Sequence, residues 1–100
     1  MIFIQWTNTA FNELEVLPPE VSFEIIRQVD FLAQYPEMGA LLETRFPRLQ
    51  GFRQLIIKHN IRVIYQIDGD EETVFILAVQ NCRQKFPPTR DLKRRKSQTE

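Results

Sequence analysis

Three β-prone segments in quick succession, residues 52–58, 61–67 and 73–79, constrain this chain more than any other feature. Val, Ile, Phe and Tyr dominate them, and the intervening His59-Asn60 and Asp68-Gly69-Asp70 are residue types that turn a chain. Connections this short join antiparallel neighbours, because a parallel pair needs a crossover of a dozen or more residues. The expectation is an antiparallel meander. With His59-Asn60 as a two-residue loop, Lys58 faces Ile61 and Ile57 faces Arg62. Parity in that register puts Phe52, Gln54, Ile56, Ile61, Val63, Tyr65 and Ile67 on one face and Arg53, Leu55, Ile57, Arg62, Ile64 and Gln66 on the other. The first face is the more apolar and suits a helical cover, which leaves two guanidinium groups together on the opposite face.

The helical cover is legible upstream. Ile2, Phe3, Ile4 and Trp6 form a short β-prone run ended by Thr7 and Asn8, either of which can cap a helix. In that helix Phe11, Leu14 and Leu17 recur at three-residue spacing until Pro18 and Pro19 interrupt it. Pro19 suits the first turn of a second helix, where Val21, Ile25, Val29 and Leu32 form an apolar stripe opposite Glu20, Glu24, Arg27 and Gln28. That helix should end near Tyr35, before Pro36. Residues 36–51 hold Pro36, Gly39, Pro47 and Gly51 without a sustained period and read as a connecting loop. The implied class is α+β: a short N-terminal strand, a two-helix hairpin, then a three-stranded antiparallel meander in one domain of residues 1–89, followed by a basic tail of residues 90–100.

Charge is balanced overall but segregated along the chain, and distribution decides which partner a surface attracts. Residues 1–43 carry seven acids against Arg27 alone, a net of minus six. Residues 44–67 carry Arg45, Arg48, Arg53, Lys58 and Arg62 with no acid, a net of plus five. Arg83, Lys85, Arg90, Lys93, Arg94, Arg95 and Lys96 form a second basic zone against Asp91. No apolar run approaches the roughly 20 residues of a membrane span, and the start is too short and polar-flanked for a signal peptide, so a cytoplasmic protein is expected. The single Cys82 has no partner for an internal disulfide or a thiolate cluster and suits a reducing compartment as a small side chain at a strand end. Gly-rich phosphate loops, Cys/His ligand spacings and a Gly-x-Ser-x-Gly elbow are missing. Asp68, Asp70, Glu71 and Glu72 read as an acidic turn, because a calcium loop alternates its ligands over about 12 residues between helices. Neither a cofactor nor a metal is expected.

Several local patterns carry a resemblance. Trp6-Thr7 ends the first strand, Ala10-Phe11-Asn12-Glu13-Leu14 opens the first helix, and Pro36-Glu37-Met38-Gly39 follows the second. Phe52-Arg53-Gln54-Leu55-Ile56-Ile57, Ile61-Arg62-Val63-Ile64-Tyr65-Gln66-Ile67-Asp68 and Val74-Phe75-Ile76-Leu77-Ala78-Val79 then follow in order. Together these resemble the RelE/ParE superfamily of bacterial type II toxin–antitoxin systems over about the first ninety residues. The resemblance implies a growth-inhibiting toxin with a cognate antitoxin as partner and a role in plasmid stabilization. It leaves three functions open: a ParE-like toxin acting on DNA gyrase, a RelE-like endoribonuclease acting on ribosome-bound mRNA, and a non-toxic homologue that still binds an antitoxin. It also marks Arg53, Arg62, Arg83, Lys85 and Phe86 as candidate substrate or partner contacts. Arg62 and Arg83 would be catalytic only in the ribonuclease branch. Departures from the pattern are Ile61 in place of a Tyr, Leu55 in place of a lysine, Gln80-Asn81-Cys82-Arg83 in place of a His-x-Arg-Arg ending, and Phe86 in place of a Tyr. The last matters chemically, since RNA cleavage needs groups that move protons and a phenyl ring moves none. His59, the only imidazole, falls at the expected hairpin tip.

Overall fold

In the computed structural model, which describes residues 2–99, the chain alternates between strands that build one sheet and helices that cover it. Phe3–Trp6 forms β1, Asn8–Glu15 α1 and Pro19–Asp30 α2, and a 3-10 turn at Phe31–Ala33 extends the last. Ala40–Leu41 forms a two-residue β2, followed by 3-10 turns at Leu42–Thr44 and Pro47–Leu49. The meander is Phe52–Ile57 (β3), Ile61–Asp68 (β4) and Thr73–Asn81 (β5), and Thr89–Arg95 closes the fold as α3. The sheet runs β1-β5-β4-β3-β2, with β1 parallel to β5 and every other pair antiparallel.

Thr7 joins the first strand to the first helix. Its N–H donates to the Ile76 carbonyl at 3.1 Å and its hydroxyl donates to the same oxygen at 2.8 Å. The hydroxyl also accepts from the Ala10 N–H at 3.4 Å, so one buried side chain ends β1 on β5 and caps α1. Ala10 and Leu14 are the buried residues of α1, and Phe11, expected inside, is exposed. In α2 the expected stripe holds: Pro19 starts the helix, and Ile25, Val29 and then Leu32 are fully buried. They pack with Leu55, Ile57, Ile61, Val63, Tyr65, Val74 and Ile76 into a first core between the helices and the sheet.

A second core lies on the other face of the sheet. Leu42, Leu49, Phe52, Ile64, Phe75, Leu77, Ala78 and Leu92 form it, with Phe46 and Phe86 packed alongside. The connecting segment thus contributes β2 and two buried leucines rather than acting as a plain loop. The segment after residue 89, expected as a basic tail, carries α3, whose Leu92 is fully buried. Beyond it, the Gln98 carbonyl accepts from the Asn8 N–H at 2.8 Å and so satisfies the free N-terminus of α1.

The register between β3 and β4 differs from the expected one by a single residue. Ile57 pairs with Ile61, Ile56 with Arg62 and Arg53 with Tyr65, so the loop has three residues, Lys58, His59 and Asn60. Lys58 and His59 both adopt left-handed backbone, with φ of 53° and 69°. The shift moves Leu55 and Ile57 to the helical face and sends Phe52, Gln54 and Ile56 to the other. Further along, Ile64 pairs with Ala78 but Tyr65 with Ile76, so Leu77 is an extra residue in β5. This bulge lets Leu77 and Ala78 both face the second core while Ile76 and Val79 face the first.

Candidate functional site

Arg62 is the centre of the polar chemistry. It sits on the second face of the sheet between Ile56 of β3 and Gln80 of β5, and only 8% of its surface is exposed. Its guanidinium carbon lies 3.9 Å from the centroid of the Phe86 ring, and Nη2 donates to the Cys82 carbonyl. Phe86 leans in turn on Phe46, with ring centroids 4.9 Å apart and planes inclined by 54°. Among the described residues Arg62 forms no ion pair, and its buried Nε has no hydrogen-bond partner. A buried cation without a carboxylate is costly to hold and invites an anion.

The surroundings extend that character. A depression of about 240 Å³ opens over the Arg62–Phe86 stack and is lined also by Arg45, Phe46, Gln54, Ile56 and Cys82. The Gln54 Oε1 is buried without a partner, as is the Oε1 of Gln80, the cross-strand neighbour of Arg62. Arg45 is exposed, with its guanidinium 5.8 Å from the Phe46 ring centroid. Arg83 and Lys85 are exposed in the connection from β5 to α3. There the Lys85 carbonyl accepts from Gln80 Nε2 at 3.3 Å and the Arg83 N–H donates to Asn81 Oδ1 at 2.8 Å. The guanidinium groups and aromatic faces suit a planar anionic group or a phosphoester, whereas the two unsatisfied amide oxygens are acceptors and call for a donor on the ligand. None of the side chains lining the depression is an imidazole, carboxylate or phenol, and His59 lies outside it, exposed on the β3–β4 turn.

Arg53 does not join this site. The expectation that Arg53 and Arg62 share a face is corrected by the register, which pairs Arg53 with Tyr65 on the helical side. Its Nη1 donates to the Gly39 carbonyl at 2.8 Å and to the Glu37 carbonyl at 3.2 Å. The Tyr65 hydroxyl donates to the Pro36 carbonyl at 2.7 Å and accepts from the Gly39 N–H at 2.9 Å. Burial raises the Tyr65 phenol above its usual range, with the Gly39 bond opposing it, so the hydroxyl stays a donor. Arg53 and Tyr65 therefore pin the segment after α2. Leu55, noted in place of a lysine, is buried in the first core and presents nothing to a ligand. Arg45, Phe46, Gln54, Ile56 and Cys82 carried no assignment from the sequence. Gln54 and Ile56 follow from parity once the loop is three residues long, but the contribution of Arg45 and Phe46 has no local signal because a loop positions them.

One carboxylate elsewhere is out of the ordinary. Glu13 on α1 accepts from the Val79 N–H at 2.9 Å and lies 3.8 Å from Arg95 Nη1. Burial raises its carboxyl above the usual range, while the Val79 bond and Arg95 pull the other way. Arg95 also donates to the Leu77 carbonyl at 3.1 Å, and Lys96 pairs with Asp68 at 2.9 Å, so two cations of the C-terminal zone serve the fold.

A five-stranded mixed sheet with α1 and α2 on one face and, on the other, α3 and a cationic, aromatic-lined depression define a small α+β module. A chain of the RelBE2 toxin–antitoxin complex of Mycobacterium tuberculosis superposes with a TM-score of 0.68 at 27% identity, covering 80% of this chain and 96% of that one. Isolated RelE toxin of E. coli gives a TM-score of 0.69 at 16% identity, covering 94% and 98%. A metal-bound toxin from Helicobacter pylori gives 0.65 at 19% identity, covering 86% and 100%. No curated protein sequence matches the chain significantly. The family model for the ParE toxin of type II toxin–antitoxin systems matches residues 4–86, and the chain belongs to that family. It is the toxin component of such a system. Among the described residues no helix is long and apolar enough to cross a membrane.

Proposed function

We propose that this toxin arrests growth in the cytoplasm by binding DNA gyrase rather than by cutting RNA, and that a cognate antitoxin neutralises it. The chemistry of the Arg62 depression carries the reading. Cleavage by a ribose 2'-hydroxyl needs a proton acceptor and a donor, and in a lining of cations, phenyl rings and amides the Cys82 thiol is one exchangeable group where two are needed. An unpaired buried arginine is suited to hold an acidic group of a protein partner, where such a pair carries much of the binding energy. Purified toxin should inhibit gyrase supercoiling and accumulate cleaved DNA, and co-expression with the adjacent antitoxin frame should restore growth. Unimpaired gyrase together with fresh transcript cleavage on ribosomes would overturn it.

A specific observation favours a second reading. The stack of Arg62 on Phe86, backed by Phe46, is also a platform on which a nucleobase can lie. Under a RelE-like endoribonuclease reading, Arg62 and Arg83 stabilise the developing charge at the scissile phosphate. Ribosome profiling after induction separates the two. Normal growth with verified folded protein would favour the third function, a homologue that binds an antitoxin without being toxic.

A further inference from the structure

We propose that Cys82 is a thiol–disulfide modification site whose reagent is an anionic low-molecular-weight disulfide of the glutathione type, drawn in by Arg62. Cys82 is the only cysteine of the chain and the first residue after β5, half-buried on the wall of the Arg62 depression. Its backbone is held on both sides. The Cys82 N–H donates to the Asn60 carbonyl at 2.8 Å, and its carbonyl accepts from Arg62 Nη2. The second bond fixes the guanidinium next to the cysteine rather than leaving it to solvent.

The independent observation is the unsatisfied cation. Arg62 is more than nine-tenths buried, forms no ion pair among the described residues and has an unpartnered Nε, while the exposed Arg45 lines the same depression. A disulfide that bears carboxylates brings the missing counter-charge and, in the same encounter, places its sulfur atoms beside the thiol. A neutral disulfide gains nothing from either arginine.

The exchange balances without any other oxidant. The Cys82 Sγ loses its proton to solvent and attacks one sulfur of the reagent. The reagent S–S bond breaks, a new S–S bond joins Cys82 to one half, and the other half leaves as a thiolate that takes up a proton. One disulfide is consumed and one is formed. The adduct leaves its carboxylates over Arg62, so the depression is closed to any other acidic ligand until a thiol reverses the bond. This chemistry belongs to the cysteine and its arginine and holds whichever macromolecule the toxin engages, so failure of the gyrase reading leaves it standing.

The test compares two reagents on the folded protein. Glutathione disulfide and the neutral bis(2-hydroxyethyl) disulfide are each added, and the single-adduct mass is followed with time. The native protein should form one adduct reversed by dithiothreitol, with a rate preference for the anionic reagent beyond that of a free cysteine peptide. That preference should fall about tenfold in Arg62→Gln and less in Arg45→Gln, and 1 M salt should remove only the share due to the exposed Arg45. Near-ultraviolet circular dichroism checks that Arg62→Gln is folded, and the comparison of the native protein with the free cysteine peptide decides the matter if it is not. Absence of an adduct without denaturant, or a native preference no greater than that of the free cysteine peptide, would overturn the proposal.

Discussion

Leu92→Ala asks whether the C-terminal basic segment is part of the fold. Leu92 is the one buried residue of α3 and has no exposed surface. It shares the second core with Leu42, Leu49, Phe52, Phe75 and Leu77. Truncating a leucine at such a site costs about 2–5 kcal/mol, set by how far the walls collapse. Collapse is limited here, because Phe52, Leu77 and Ala78 belong to central strands and Leu49 is held by its own 3-10 turn. A loss of about 3 kcal/mol is expected, a large part of the roughly 5–15 kcal/mol by which a domain of this size is stable. Local escape sets an upper limit, since α3 can undock alone once undocking costs less than global unfolding. The observed loss then equals the docking energy of α3 rather than the whole cavity term. Urea denaturation followed by tryptophan fluorescence and far-ultraviolet circular dichroism measures it. Trp6 lies on β1, outside the second core, so its signal reports global unfolding. A loss under about 1 kcal/mol with coincident transitions would refute the docking argument.

Arg53→Ala and Arg62→Ala should separate cleanly. Arg53→Ala releases the Glu37 and Gly39 carbonyls and should cost about 1–2 kcal/mol, after allowance for solvent, while growth arrest persists. Arg62→Ala should leave the melting temperature within a few degrees, because the lost stack on Phe86 is offset by removal of an unpaired buried charge, and should weaken growth arrest at least tenfold. Gly39→Ala should destabilise by about 1–3 kcal/mol or more in thermal melts, since a Cβ there would lie 2.6 Å from both the Gln54 carbonyl and the Tyr65 hydroxyl. The raised Glu13 carboxyl binds its proton more tightly in the folded state, so its contribution is favourable at low pH and is lost as pH rises through the folded pKa. Glu13→Gln should therefore melt about 1–3 °C higher than the native protein at pH 7, with the gap closing below pH 4.5, as read by calorimetry across that range.

The sequence resolved the elements better than their relative registration, for a physical reason. Thr7, Pro19 and the stripe through Ile25, Val29 and Leu32 have one consistent reading, because α1 and α2 each bury a single face. Strand β3 buries residues on both faces: Leu55 and Ile57 under the helices, Phe52 over the second core. An apolar pattern without alternation leaves parity undetermined, so the loop length alone fixed the assignment, and Lys58-His59-Asn60 carries no glycine to reveal its two left-handed residues. That single step put Arg53 beside Arg62 in the linear reading and on the opposite side of the sheet in the fold. The parallel pairing of β1 with β5 was equally hidden, because it links segments some seventy residues apart.

Segregated charge along the chain also becomes segregated charge in space, but not residue for residue. The acid-rich first block supplies α1 and α2, so Glu15, Glu20 and Asp30 lie exposed on the helical side. The basic blocks supply the opposite side, where Arg45, Arg48, Lys85, Arg90, Lys93 and Arg94 are exposed around the second core. Arg95 and Lys96 are subtracted from that field by Glu13 and Asp68, and Arg53 lies on the helical side, held by the Glu37 and Gly39 carbonyls. Asp68 carries the sign of that arrangement: the Lys96 bond, helped by the Glu71 N–H, lowers its carboxyl, so the latch between β4 and the C-terminal segment is made above the ordinary carboxylate range and lost as pH falls through the lowered value. Arg62 is the exception in the other direction, a cation inside the protein with nothing to neutralise it. A partner that only neutralised surface charge would be screened at physiological salt, whereas one that reaches Arg62 is screened far less. Affinity for this face should therefore depend steeply on one acidic group of the partner and weakly on its net charge.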